Sequence, residues 1–194
     1  MEILELIKKR RTIRKYKKKQ IPKKILNKII EAGRWAPSAE NTQPWRFIIL
    51  KEGEIKSNFI KKIKKEVYSE KFLTSVNVLL KRSIKIIEEA PIIILVYNTH
   101  TFLEKVKKLG KVYEKPAYLS EIQSISAAIE NMFLATTSLG IGMCWFNFPL
   151  LIKDEIEKFF KTKDELIAIL TLGYPQEKGK RSKRKPISET VKYL

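Results

Sequence analysis

Three segments carry side chains whose types and spacing suit chemistry. Arg10-Arg11-Thr12-Ile13-Arg14 sets three guanidinium groups and a hydroxyl within one short turn. A guanidinium presents a planar fork of donors that matches phosphate or carboxylate oxygens. Residues 34–47 read RWAPSAENTQPWRF. Its prolines fix φ and remove donors, its tryptophans offer large flat faces, and Asn41 and Gln43 bring amides that need partners once buried. Such a loop suits a flat ligand with a polar edge; it equally suits a turn that seats Trp35 and Trp45 in the core. GKRSKRKP, residues 179–186, is a second cluster of cations, read as a mobile basic loop or as a site for nucleic acid.

The rest of the composition narrows the chemistry. Cys144 is the only cysteine, so no intrachain disulfide forms, and with His100 the only histidine there is no cluster for a zinc or iron site. No Ser/His/Asp or Cys/His constellation is present. Cys144 reads as a packed small hydrophobe and His100 as a loop residue after a strand. Lys and Arg number 40 against 21 Asp and Glu, a formal net charge of +19. That excess attracts phosphates, nucleic acid and acidic surfaces, and it also fits a bias toward charged surface residues. The opening MEILELIKKRR lacks the apolar core and small-residue cleavage site of a signal peptide, and no uncharged run is long enough to span a membrane, so the expected compartment is the cytoplasm.

These segments have to be held by something. With 194 residues, 44% of them hydrophobic, one domain spanning 1–194 is expected, with no internal repeat or linker. Ile3, Leu6 and Ile7 repeat at helical spacing up to Lys9, just before the first basic turn. Pro22 can open a helix whose apolar face is Ile25, Leu26, Ile29 and Ile30, ending near Gly33. Phe47–Leu50 reads as a short strand and Ile55–Tyr68 as a helix, while residues 69–88 give no clear pattern. Ala90–Tyr97 is a β-branched run expected at the centre of a sheet and covered on both faces. Leu119–Leu139 is apolar or small nearly all round, which predicts a helix that is buried or shared with another subunit, stopped by Gly140. A helix over Ile152–Phe160, a buried strand over Leu166–Gly173 and a mildly β-prone end at Val191–Leu194 complete the pattern. The fold class is mixed α and β, a small sheet surrounded by helices.

Taken in order, the words resemble the FMN-dependent nitroreductase family of flavin oxidoreductases. RRTIRKY is similar to that family's RRSIRxF, and APSAENTQPWRF matches its APSxxNxQPWxF at every specified position. GIGMCW is similar to its GLGxxW segment; LGYP and a Lys/Arg pair followed by Pro follow in the same order, so the resemblance covers nearly the whole chain. It implies an intertwined homodimer with FMN at the shared interface, hydride taken from NADH or NADPH, and two electrons passed to a nitroaromatic, quinone or activated alkene. By motif, Arg10 and the Thr12 hydroxyl meet the phosphate, Arg11 supports them, and Arg14 lies near the pyrimidine side of the ring. Pro37, Ser38, Ala39 and Asn41 approach from the partner chain, and Lys183 and Arg184 close over the phosphate. Where many relatives carry a glycine after GLGxxW, this chain has Phe146-Asn147-Phe148, and Asn147 is the candidate contact there. Residues 54–88 do not match the family's lid and second flavin-contact helix, the region that sets substrate preference.

Two other readings stand beside this one. A nucleic-acid-binding protein follows from the net charge and basic tail, but helix-turn-helix, RNA-binding aromatic and zinc-knuckle signatures are missing, and bulk charge supports only salt-sensitive association without specificity. The same fold also serves reductive dehalogenation and flavin fragmentation in relatives of the family.

Overall fold

The computed structural model describes residues 2–69 and 76–194. Its helices are α1 (Ile3–Lys9), α2 (Lys23–Arg34), α3 (Glu54–Val67), α4 (Val76–Glu89), α5 (Thr101–Val106), α6 (Glu114–Ser138), α7 (Lys153–Phe160) and α8 (Ile187–Thr190). Four strands, β1 (Trp45–Lys51), β2 (Ile92–Asn98), β3 (Gly142–Phe146) and β4 (Glu165–Gly173), form one sheet in the order β1-β2-β4-β3, antiparallel throughout.

The alternation along β2 decides the layers. Ile92, Ile94 and Val96 point to one face, where they pack with Leu26 and Ile29 of α2 and Ile125, Ile129, Met132 and Phe133 of α6. Ile93, Leu95 and Tyr97 point to the other, against Phe59 and Ile63 of α3, Leu80, Ile84 and Ile87 of α4 and Ile156 of α7. Every residue of β2 is buried, so a run that is apolar from Ile92 to Tyr97 sits in an antiparallel sheet because helices cover both sides. A bulge between Val96 and Tyr97 pairs Tyr97 with Leu166 and Val96 with Ala168, which keeps Leu166 and Ala168 on their proper faces.

Most elements lie where the sequence puts them, with three differences besides the short helices α5 and α8, which the pattern does not announce. The unassigned stretch contains α4, and residues 70–75 of it fall outside the described residues. The long helix begins at Glu114 rather than near Leu119, since Pro116 falls in its first turn, where a missing N–H costs nothing. Val191–Leu194 is not a strand: it follows α8 as an exposed end with no strand beside it among the described residues.

Candidate functional site

The basic turn after α1 is seated by two glycines. Gly142 and Gly173 stand opposite each other in the β3–β4 register. Because neither has a Cβ, the chain from Thr12 to Tyr16 lies directly on this pair of strands. A Cβ on Gly142 would fall 2.7 Å from Ile13, and one on Gly173 would fall 2.7 Å from the Tyr16 ring. Ile13 N donates to Met143 O at 3.0 Å, and Lys17 N to Tyr174 O at 2.8 Å. The buried Tyr16 hydroxyl donates to Ile13 O at 2.6 Å and lies 2.7 Å from Thr171 Oγ1. Burial pushes that phenol far above its ordinary range, so it stays a neutral donor.

This seating brings Arg10, Arg11, Thr12 and Arg14 into the wall of a cleft of about 1460 Å³, with Lys183 and Arg184 across from them on the C-terminal segment. Six of the sequence candidates therefore meet. The Arg10 guanidinium stacks over the Phe133 ring at 5.0 Å, and its Nε lies 3.4 Å from Glu130 Oε1. Burial raises the Glu130 carboxyl above the usual range while Arg10 pulls it back. Arg11 is used differently: its Nη1 donates to Lys8 O at 2.6 Å and to Arg10 O at 2.7 Å, capping the end of α1. Helix-end carbonyls carry partial negative charge that would oppose an anion, and Arg11 offsets it. The Thr12 hydroxyl has no hydrogen bond among the described residues. Arg184 rests on Ser182 Oγ at 2.7 Å.

The cleft also takes Arg82 and Lys85 from α4, which reading by sequence missed. The signal was the repeat Leu80, Ile84 and Ile87, which fixes the buried face and leaves positions 82 and 85 beside it. Among the described residues neither cation has an ion-pair partner.

Pro37, Ser38, Ala39, Asn41 and Asn147 do not line this cleft. The first four belong to a loop after α2 held in uncommon backbone geometry: Glu40, Asn41 and Gln43 have φ of 51, 50 and 47°. Left-handed geometry at three non-glycine residues stores strain that the loop's own bonds must hold. Gln43 N donates to Ser38 Oγ at 3.0 Å, Thr42 Oγ1 to Ala39 O at 2.7 Å, and Ala39 N to Ser124 Oγ at 3.3 Å on α6. Trp45 packs against the α2/α6 core, but Trp35 is 80% exposed, so the loop is not a device for burying both indoles. Asn41 lines a separate hollow with Trp35 and Gln43. Asn147 is exposed just after β3. Cys144 is a buried core residue, and His100 lies outside the cleft, 3.5 Å from carboxylate oxygens of both Glu121 and Glu165.

The sequence pattern that defines the nitroreductase family matches residues 7–174, from the end of α1 to the tyrosine after β4. The chain belongs to the nitroreductase family. A relative from Methanothermobacter thermautotrophicus, named NADH dehydrogenase/NAD(P)H nitroreductase, is 32% identical over 181 residues, covering 91% of this chain and 79% of that protein. Human iodotyrosine deiodinase 1 is 26% identical over 201 residues, covering 98% of this chain and 68% of that protein. Among solved structures, a nitroreductase from Desulfovibrio desulfuricans in complex with FMN has the same fold, with a TM-score of 0.75 at 23% identity over 100% of this chain and 97% of that one. Membership in the nitroreductase family makes this chain a flavin oxidoreductase by class.

Proposed function

We propose that the chain is an FMN-dependent oxidoreductase that takes hydride from NADH or NADPH and delivers two electrons to a nitroaromatic, quinone or enone, working as a homodimer. The observation that carries this reading is the convergence of the RRTIR turn with Lys183 and Arg184, from opposite ends of the chain, on one cleft. The donor set fits the phosphate end of FMN, which needs several charge-assisted donors on one side. The volume fits as well: about 1460 Å³ exceeds the roughly 300–1,000 Å³ of a site for one small molecule, leaving space for a cofactor and a second reactant.

FMN, when bound, supplies the two-electron exchange, and the protein supplies binding, orientation and electrostatics. Arg10, held from behind by Phe133 and Glu130, would present its remaining donors to the phosphate. Thr12 adds a hydroxyl donor, Arg11 neutralises the helix end, and Lys183 and Arg184 supply charge from the far wall. Arg14, exposed on the same turn, would bring a further guanidinium toward the ring. Pro37, Ser38, Ala39 and Asn41 would cover the ring of the site built mainly by a second copy, which accounts for a strained loop that does not line its own chain's cleft.

Purified protein is expected to be yellow and to release FMN on heating. Reducing it anaerobically with NADH or NADPH, then scoring reoxidation by nitroaromatic, quinone and enone acceptors, identifies both substrates. A colourless protein that does not reconstitute with FMN overturns the reading. The identity to human iodotyrosine deiodinase 1 favours reductive dehalogenation as the second reading; halide release from a halogenated phenol, with no turnover of nitroaromatics, would select it.

A further inference from the structure

Glu177 is out of keeping with its surroundings. Among the described residues, twelve cationic side chains and three carboxylates line the cleft, and a carboxylate there raises the cost of binding an anion. Glu130 offsets that cost by holding Arg10. Glu177 has a different partner. The chain from Thr12 to Lys17 is bonded on one side to β3, through Ile13 N and Met143 O at 3.0 Å. On the other side it is bonded to residues 174–176, through Lys17 N to Tyr174 O at 2.8 Å and Gln176 N to Lys15 O at 3.0 Å. Arg14 N lies where the first neighbour has ended and the second has not begun. The half-buried Glu177 fills that gap, its Oε1 accepting from Arg14 N at 3.0 Å. Two residues later the backbone passes so close to Arg11 that a Cβ on Gly179 would fall 2.3 Å from the Arg11 Cβ. From that crossing the chain runs on to Lys183 and Arg184.

We propose that Glu177 is a positioning residue: by fixing the Arg14 amide to the segment that carries Lys183 and Arg184, it joins two cation clusters into one preformed phosphate pocket. The proposal rests on reading the cleft as the FMN site. Its physical basis is entropic. Ordering a free segment costs conformational entropy, a cost a ligand otherwise meets from its own binding energy. A contact made before the ligand arrives removes part of it.

Two variants of the whole chain test this. Glu177→Ala should raise hydrogen exchange at the Arg14 amide and weaken FMN about tenfold, the scale of one lost charge-assisted bond, with riboflavin changed by less than about twofold. Glu177→Gln keeps a carbonyl acceptor at the same reach and sheds the charge that opposes an anion, so it should restore amide protection and bind FMN at least as tightly as the unaltered chain. Unchanged FMN affinity in Glu177→Ala, equal weakening of riboflavin, or a Gln variant as weak as the Ala variant overturns the proposal. If Arg10→Ala leaves FMN affinity intact, the placing of the FMN phosphate in this cleft is what fails, and exchange at Arg14 still reports on the Glu177 contact.

Discussion

Arg10 meets an aromatic face, a carboxylate and the open cleft with one side chain, and only the last is available to a ligand. Losing a hydrogen bond to a charged group costs about 1.5–3 kcal/mol, so Arg10→Ala should weaken FMN by more than tenfold while riboflavin, which has no phosphate, is nearly unaffected. Equal loss for both flavins in a binding titration would remove Arg10 from the phosphate. Arg10→Lys should rescue only part of the loss, because an ammonium lacks the fork that serves Glu130 and a phosphate together. Cys144 makes a prediction of another kind. Burial pushes its thiol from the ordinary 9.0 up to about 11, against a smaller opposing pull from Arg14. The folded state therefore holds this proton more tightly than the unfolded chain. The stabilisation is complete below about pH 9 and is lost as pH rises toward about 11, at about 1.4 kcal/mol per pH unit. Buried Tyr16 and Tyr97, both raised by desolvation, add the same sign at higher pH. Urea midpoints measured from pH 8 to 10.5 should fall less steeply for Cys144→Ala than for the unaltered chain, and identical slopes would count against the thiol.

At the scale of elements, what was legible in the sequence was what local pattern decides. The strand Ile92–Asn98 announces itself because every position from Ile92 to Tyr97 is apolar, and Glu54–Val67 because Phe59, Ile63 and Val67 recur at helical spacing. Helix α4 did not, because Val78 and Leu79 are apolar yet exposed and blur the face made by Leu80, Ile84 and Ile87. Arg82 and Lys85 were lost with it. Val191–Leu194 failed for the opposite reason: β propensity forms a strand only where a neighbour completes the ladder. The cations of the RRTIR turn were legible as charge, but the use of Arg11 as a helix cap depends on where the chain goes next. The seat under the turn was hidden as well, since the pairing of Gly142 with Gly173 is a matter of register between strands distant in sequence. That seat is testable. A Cβ at Gly173 meets the Tyr16 ring at 2.7 Å and its Cβ at 2.8 Å. Gly173→Ala should cost about 1–3 kcal/mol of stability through overpacking and weaken FMN by displacing the turn. Denaturant unfolding and flavin titration on the same variant check both, and an unaltered unfolding midpoint would mean the contact is relieved without cost.

The whole molecule leaves apolar side chains uncovered in a way that points to a second copy. Ile3, Leu4 and Ile7 of α1 are 62%, 50% and 46% exposed, and Ile187, Val191, Tyr193 and Leu194 at the C-terminal end are exposed too. Along α6 one face is buried by Ile125, Ile129 and Met132, while Leu119 lies open on the rest. A monomer pays for such surface in solubility, and closed two-fold pairing is the commonest remedy. The cleft and the strained loop add a sharper argument. If Arg10 serves one site of a dimer and Asn41 of the same chain serves the other, two defective chains can complement each other. Chains carrying Arg10→Ala and chains carrying Asn41→Asp should each bind FMN poorly alone. In a heterodimer, one site would take Arg10 from the second chain and Asn41 from the first and so be intact, while the other would carry both defects. Unfolding and refolding the two variants together in equal amounts makes about half the dimers mixed, so about a quarter of the sites should regain FMN. A site built within a single chain allows no such recovery. Flavin absorbance of the mixture against the sum of its parts, with scattering at low concentration to establish two chains per particle, separates the two arrangements.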